Sequence, residues 1–355
     1  LKDENNMSEE RRYFSIPIDV KHGIIDLTHG SGGRATAQLI GQVFGRAFSN
    51  PILDEGHDGA FLPKIDGDPV VSCDAHVIRP LFFPGGDIGS LAIAGTVNDV
   101  AVCGAKPKYI AACFILEEGF PIQDVERIVN SMARTAREAG VMIVTGDTKV
   151  VEKGHGDGIY ITTTGFGERY PGIRVSGRNA RPGDKILISG TMGDHGMAIM
   201  SLREGLSFGT TIESDSAPLN DMVEAVVKAC PNVHVLRDPT RGGLATTLNE
   251  IAYQSNVGIM LEESAIPVRP DVAQACEFLG LDPLYVANEG KLIVIVPEDE
   301  AEAALAAMKS APHGENAAIV GTVTDTDKGY VQMTTLMGGV RMVDWLNADQ
   351  LPRIC

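Results

Sequence analysis

Eight times along this chain a carboxylate stands in a glycine-rich or turn-forming context beside an apolar run. The segments are Asp58-Gly59-Ala60, Cys73-Asp74-Ala75-His76, Gly86-Asp87-Ile88-Gly89, Asn98-Asp99, Gly146-Asp147-Thr148-Lys149, Gly193-Asp194-His195-Gly196, Asp238-Pro239-Thr240-Arg241-Gly242-Gly243 and Asn288-Glu289-Gly290-Lys291. Any one of them is an ordinary turn or helix cap. Repeated in this way they point to one shared site. Glycine lets the backbone approach closely, and short carboxylates suit a hard cation. The reading is a Mg²⁺ site that holds a nucleotide triphosphate. The 40 glycines among 355 residues fit a chain built on tight backbone approaches.

Charge and composition exclude several classes. Asp and Glu number 47 against 30 Lys and Arg, a formal net charge of −17. Such a chain repels phosphate backbones, so neither nucleic-acid binding nor a basic membrane-surface role is expected. No apolar run approaches the roughly 18 residues of a membrane span. The segment LKDENNMSEERR is charged and has no apolar core, unlike a secretory signal. Met7 offers a natural start, and residues 1–22 read as a loose N-terminal extension. The cysteines are Cys73, Cys103, Cys113, Cys230, Cys276 and Cys355, with no CxxC among them, so a thiolate zinc site is not expected. The first five lie in apolar or helical stretches and are expected to be buried and reduced, as in a cytoplasmic protein.

Strand and helix patterns alternate. Val70–Cys73, Tyr109–Leu116, Val141–Thr145 and Ile159–Gly165 read as strands. Residues 121–139 give the clearest helix: Ile122, Val125, Ile128, Val129, Met132 and Ala136 form one stripe, with Pro121 expected in its first turn. A second helix is expected over 34–48, with Leu39, Ile40, Val43, Phe44 and Ala47 on one side. The Gly-, Pro- and Arg-rich stretch from Tyr170 to Asp184 breaks the pattern. Beyond it come a strand at Lys185–Ser189, helices near 194–204, 218–230, 242–255, 270–279 and 298–309, and strands at Lys291–Val296 and Ile319–Val323. This predicts an α+β chain with domains over about 23–175 and 180–335. A mobile tail over 336–355 follows.

The phosphate binder is not a common one, because neither GxxxxGK[ST] nor GxGxxG occurs. Gly30-Ser31-Gly32-Gly33-Arg34 opens the 34–48 helix and could close on an anion through its amides, or be only a turn. Of the eight histidines, His76 and His195 sit inside acidic motifs and are the candidate polar groups of a site. The chain ends Leu351-Pro352-Arg353-Ile354-Cys355. A terminal thiol is an oxidation liability unless it is used. Arg353 would favour its thiolate and the terminal carboxylate would oppose it.

Taken in order, His29-Gly30-Ser31-Gly32-Gly33, Pro80 through Gly89, Gly95-Thr96-Val97-Asn98-Asp99, Gly146 through Val151, Gly193-Asp194-His195-Gly196, Asp238 through Gly243, Asn288 through Lys291 and the terminal Pro352-Arg353-Ile354-Cys355 resemble the HypE family of hydrogenase-maturation carbamoyl dehydratases. The likeness spans about residues 23–355, within the wider aminoimidazole-ribotide (AIR) synthase-like ATP-using enzymes. The resemblance implies an N-terminal α/β domain that binds ATP and dimerises through its sheet, and a C-terminal α+β domain. It implies a reaction as well. A HypF-like carbamoyltransferase would load Cys355, ATP would phosphorylate the carbamoyl oxygen, and loss of phosphate would leave a protein thiocyanate. The cyanide would pass to iron on a HypC–HypD scaffold for a [NiFe]-hydrogenase. By the family match, Asp58, Asp74, Asp99 and Asp147 would hold nucleotide and Mg²⁺, with Gly32 and Gly33 at the nucleotide. Glu289 and Lys149 would be the groups that deprotonate the carbamoyl nitrogen, and the sequence does not assign which takes which proton.

Two other readings stand beside this one. A thiamine-phosphate kinase or selenophosphate synthetase would share the ATP machinery, but neither needs a terminal cysteine. A non-enzymatic carrier presenting Cys355 would show no ATP turnover.

Overall fold

In this computed structural model, residues 17–205, 211–346 and 353–355 are described. The first half runs α1 (Arg34–Leu39), a π turn (Ile40–Phe44), α2 (Gly45–Phe48), β1 (Pro69–His76), the short hairpin β2 (Phe82–Phe83) and β3 (Gly86–Asp87), α3 (Ile88–Val102), β4 (Ala105–Glu117), α4 (Ile122–Glu138), β5 (Met142–Val151) and β6 (Ile159–Arg169). Its strands form a sheet of order β1-β6-β4-β5, antiparallel except for the parallel β4–β5 pair. The second half runs β7 (Lys185–Ile188), α5 (Asp194–Arg203), α6 (Asn220–Ala229), β8 (Val235–Arg237), α7 (Gly243–Ser255), β9 (Gly258–Glu262), α8 (Pro270–Leu279), β10 (Ile293–Val296), α9 (Ala301–Ser310), β11 (Ala318–Thr324), β12 (Val331–Thr334) and β13 (Val340–Met342). These strands form a seven-stranded sheet of order β13-β12-β9-β11-β7-β10-β8. No helix among the described residues is long and apolar enough to cross a membrane.

Among the described residues, the first sheet is covered on one face only. Against that face lies α3, whose residues are all buried except Asp99, and α4 packs next to it with the predicted stripe inward. Pro121 is the N-cap of α4 rather than part of its first turn, its ψ of 130° being extended. The opposite face is left open: Val71 and Ile115 are exposed, with Cys73 and Cys113 beside them. The second sheet is covered on both faces, so its central strands are apolar without alternation. Ile186, Ile188, Ile293 and Ile295 meet α7, while Leu187, Val294 and Val296 meet α6 and α9. The halves share cores: Met197 and Ile199 of α5 and Val272 of α8 join the α3–α4 cluster, and Ala101 and Val102 of α3 join the α6–α9 cluster.

Several expectations change. The helix over 34–48 forms, but its π turn rotates Ile40 outward, leaving it 45% exposed. Of the five cysteines expected in the core, Cys230 and Cys276 are buried, while Cys73, Cys103 and Cys113 are exposed. Cys73 and Cys113 lie on the open sheet face, and Cys103 caps the end of α3. The segment Gly146–Lys149 is no turn but the middle of β5, paired with Ala112–Ile115. The expected tail from 336 contains β13, and Gly338-Gly339 form its hairpin turn with β12, where Thr335 donates to the Gly339 carbonyl at 2.7 Å. Residues 1–16 of the expected extension lie outside the described residues. Within 17–22, Ile18 and Val20 pack against the first core.

Gly146 is needed for close approach. A Cβ there would stand 2.1 Å from the Ala112 carbonyl oxygen on β4. Gly146→Ala should separate β4 from β5 and cost about 2–3 kcal/mol in urea unfolding. An unchanged unfolding midpoint would contradict this contact.

Candidate active site

Helix α3 carries two of the site's groups because it is capped and buried. Asp87 accepts from the amides of Gly89 and Ser90 at 2.8 and 3.0 Å, fixing the helix start. Three turns later Asn98 binds the second half. Its amide donates to the Ala217 carbonyl at 3.0 Å and its oxygen accepts from the Leu219 amide at 2.7 Å. The next residue, Asp99, accepts from Ser72 on β1 at 2.8 Å. Asp74, two residues along β1, faces the same helix, with its Oδ2 3.7 Å from the buried His76 Nε2.

The loop before β10 supplies the facing wall. Asn288 accepts from the Gly193 amide at 2.8 Å and donates to the Pro239 carbonyl at 2.9 Å, tying three of the acidic motifs together. Glu289 is 5% exposed, its Oε1 is buried without a hydrogen-bond partner among the described residues, and its amide donates to Asp215 Oδ1 at 3.0 Å. Gly290 permits this: a Cβ would stand 1.7 Å from the Asp215 carbonyl oxygen. Burial, and then the charges of Asp215, Asp238, Asp74 and Asp99, push the Glu289 carboxyl well above its usual range. Burial and the neighbouring Asp99 push Asp238 up to about 7. Burial, and then Asp74, raise Asp99, against the opposing effect of Ser72. Behind this wall Lys291 lies 3.3 Å from Asp215 and 3.4 Å from Asp194.

The chain terminus enters the same place. Burial and the adjacent Glu289 push the Cys355 thiol up to about 12, with Arg241 acting the other way and Asp74 adding to the rise. The thiol is therefore neutral beside Glu289 and Asp74. Arg353 does not serve it: its guanidinium pairs with Asp157.

The predicted residues fall into two groups. Asp74, Asp99, Glu289 and Cys355 come together. Asp147 and Lys149 pair with each other on β5, 60% and 63% exposed, on the open face with Cys113 and Ile115. Gly32 and Gly33 lie in the exposed turn before α1, and Gly30 in that turn is packed against Val150 of β5. Asp58 is in an exposed loop. Within one chain the four predicted metal carboxylates are thus not gathered, because β5 is the far edge strand from β1. Asp215, Asp157 and Arg203 were not singled out from the sequence, since nothing local marks them. Asp238 and Arg241 were visible in a motif, but the place of Asp238 by Glu289 and of Arg241 by Cys355 was not.

The raised carboxyl of Asp238 has a pH signature. Between its ordinary 3.8 and about 7 the folded chain holds a proton that the unfolded chain has released. Stability from this group therefore falls as pH rises through that window, and the full cost stands above it. Asp238→Asn should raise the Tm above wild type at about pH 8, with the gain shrinking toward about pH 4. A gain that does not depend on pH would contradict the assignment.

Comparison with known proteins agrees with this architecture. The AIR synthase related protein N-terminal domain matches residues 56–169, and the C-terminal domain matches residues 181–334. The carbamoyl dehydratase HypE of Azotobacter vinelandii is 60% identical over 338 residues, covering 95% of this chain and 99% of that protein. A hydrogenase maturation protein HypE solved in complex with ATP superposes with a TM-score of 0.90 at 55% identity, covering 93% of this chain and 99% of the other. The HypE of a solved HypE–HypF complex superposes at 0.77 with 52% identity, covering 87% and 99%. The chain belongs to the HypE family of hydrogenase-maturation carbamoyl dehydratases, built on the AIR synthase-related fold.

Proposed function

We propose that this chain dehydrates a carbamoyl group carried on Cys355 to a thiocyanate, using ATP. The observation that carries the reading is the placement of the terminal thiol beside a buried, unpartnered Glu289. The carbamoyl oxygen attacks the γ-phosphorus of ATP and ADP departs. The nitrogen gives up its two protons, the C–O bond breaks with loss of phosphate, and the carbon–nitrogen triple bond forms. Phosphorylation is needed because an amide oxygen is a poor leaving group. Glu289 fits the proton acceptor: a carboxylate of raised pKa is a stronger base once ionised. A carbamoylated sulfur carries no charge, so it enters this acidic setting at lower cost than a thiolate.

The carboxylates also fit a cation. Asp74, Asp99 and Asp238 repel one another, and Arg237 offsets part of that charge. Among the described residues no three such side chains are placed to hold a metal alone. That suits Mg²⁺, which takes one or two carboxylates and completes its shell with phosphate oxygens and water. Asp74 and Asp99 would hold it, and when bound it would offset charge on the phosphoryl oxygens.

The Gly30–Gly33 turn, Asp147 and Lys149 lie apart from Glu289, on and beside the open sheet face. We read them as the nucleotide side of a homodimer interface. A second copy packed sheet to sheet would cover Val71 and Ile115. The HypE solved with HypF supports a HypF-like carbamoyltransferase as the loading partner. The cyanide would then go to iron on a HypC–HypD scaffold.

Glu289→Gln keeps shape and removes the base. With the loading partner, carbamoyl phosphate and ATP, its intact mass should show a carbamoyl adduct on Cys355 that persists, where wild type loses one water. Loss of water at the wild-type rate would remove Glu289 from the reaction. Sedimentation velocity at micromolar concentration should show a dimer, and monomer alone, with or without ATP, would contradict the interface.

A further inference from the structure

The last three residues are held chiefly by their main chain. The Val77 amide donates to the Cys355 carbonyl oxygen at 2.9 Å and the Arg79 amide to the Arg353 carbonyl at 3.4 Å, so the terminus lies antiparallel to the stretch leaving β1. His195, fully buried at the start of α5, has its Nε2 2.7 Å from the Ile354 carbonyl oxygen and its Nδ1 2.8 Å from Ser214 Oγ. From the last turn of α5, Arg203 donates through Nε to the Arg79 carbonyl at 2.6 Å and through its guanidinium to the Arg353 carbonyl. Asp157 stands between two guanidinium groups: its Oδ1 is 2.5 Å from Arg79, and its Oδ2 pairs with Arg353. The Ile354 side chain is 2% exposed in the first core.

We infer that Asp157, His195 and Arg203 form a latch that positions the Cys355 sulfur at Glu289 by gripping the backbone and Arg353, whatever group the sulfur carries. This rests on the reading that Cys355 bears the reacting group. A latch of this kind accepts thiol, carbamoyl and cyano forms alike, because the hydrogen bonds and the ion pair by which it grips the terminus are made to the main chain and to the Arg353 side chain, not to the sulfur. It also has a built-in release. Arg353 sits at a φ of 56°, a left-handed conformation that a residue with a Cβ adopts at a cost. Arg79 and Arg353 would repel each other without Asp157 between them. The docked terminus therefore persists only while its contacts are made, which leaves it releasable to a loading partner. These are positioning residues, and none of them is assigned a proton transfer.

The test is alkylation of Cys355 by iodoacetamide in the full-length protein, followed by peptide mass spectrometry. Cys103, exposed and away from the open sheet face, and the buried Cys230 and Cys276 serve as internal controls. Asp157→Asn should speed labelling of Cys355 at least tenfold, leave the controls unchanged, and slow single-turnover dehydration of preloaded protein without changing ATP affinity. Asp157→Glu should restore much of the protection. Arg353→Ala is the second variant, at a partly exposed side chain, and should speed labelling similarly. Wild-type labelling rates in both Asp157→Asn and Arg353→Ala would overturn the latch. Failure of the chemical reading would show differently: wild-type protein loaded with a carbamoyl group would form no nitrile with ATP, whatever the labelling rates.

Discussion

A carboxylate buried among carboxylates is the constraint around which this molecule is arranged. Glu289 has an unpartnered oxygen and lies within the influence of Asp215, Asp238, Asp74 and Asp99. Such a group cannot ionise cheaply, and leaving it unpaired costs stability. The scaffold keeps it there by spending neutral hydrogen bonds on the backbone around it. Asn288 holds the loop to the Gly193 and Pro239 segments, and Asn98 reaches across from α3 to residues 217 and 219. Both amides are buried and bonded at both ends, so the wall is rigid while the acid it presents is not neutralised. Lys291 takes up Asp194 and Asp215 behind the wall and leaves Glu289 to the cleft.

The same electrostatics select what can dock. A thiolate would add one more negative charge to the cluster, and burial, with Glu289 next, pushes the Cys355 thiol up to about 12. A neutral sulfur is accepted. The terminus is therefore held through its carbonyls, by His195, Arg203 and Val77, rather than through the sulfur. Under the proposed chemistry, this separation of holding from reaction would let one dock serve a group whose identity changes during the cycle.

Much of this was legible in the sequence, and the parts that were not share a cause. Helix α4 announced itself because one face meets the core and the other meets water. Helix α3 has no such contrast, since only Asp99 among its residues escapes burial, so no helix stood out over residues 88–102. Gly146-Asp147 looked like a turn because an edge strand with one open face carries polar residues. The short strands β8, β9, β12 and β13 are too brief to show alternation. Asp74, Asp99, Glu289 and Cys355 were found through motif and family resemblance, and the fold brings them together. Asp215, Asp157 and Arg203 acquire their meaning only from segments distant in sequence.

The central claim is that Cys355 reacts where it docks, giving up the oxygen of its carbamoyl group to phosphate. Infrared spectroscopy of protein preloaded with carbon-13 carbamoyl is the most direct measurement. On adding ATP and Mg²⁺, the account predicts a nitrile band that shifts with the isotope, appears in step with phosphate release and is absent in Cys355→Ala. Phosphate release from the preloaded protein with no nitrile band would contradict it.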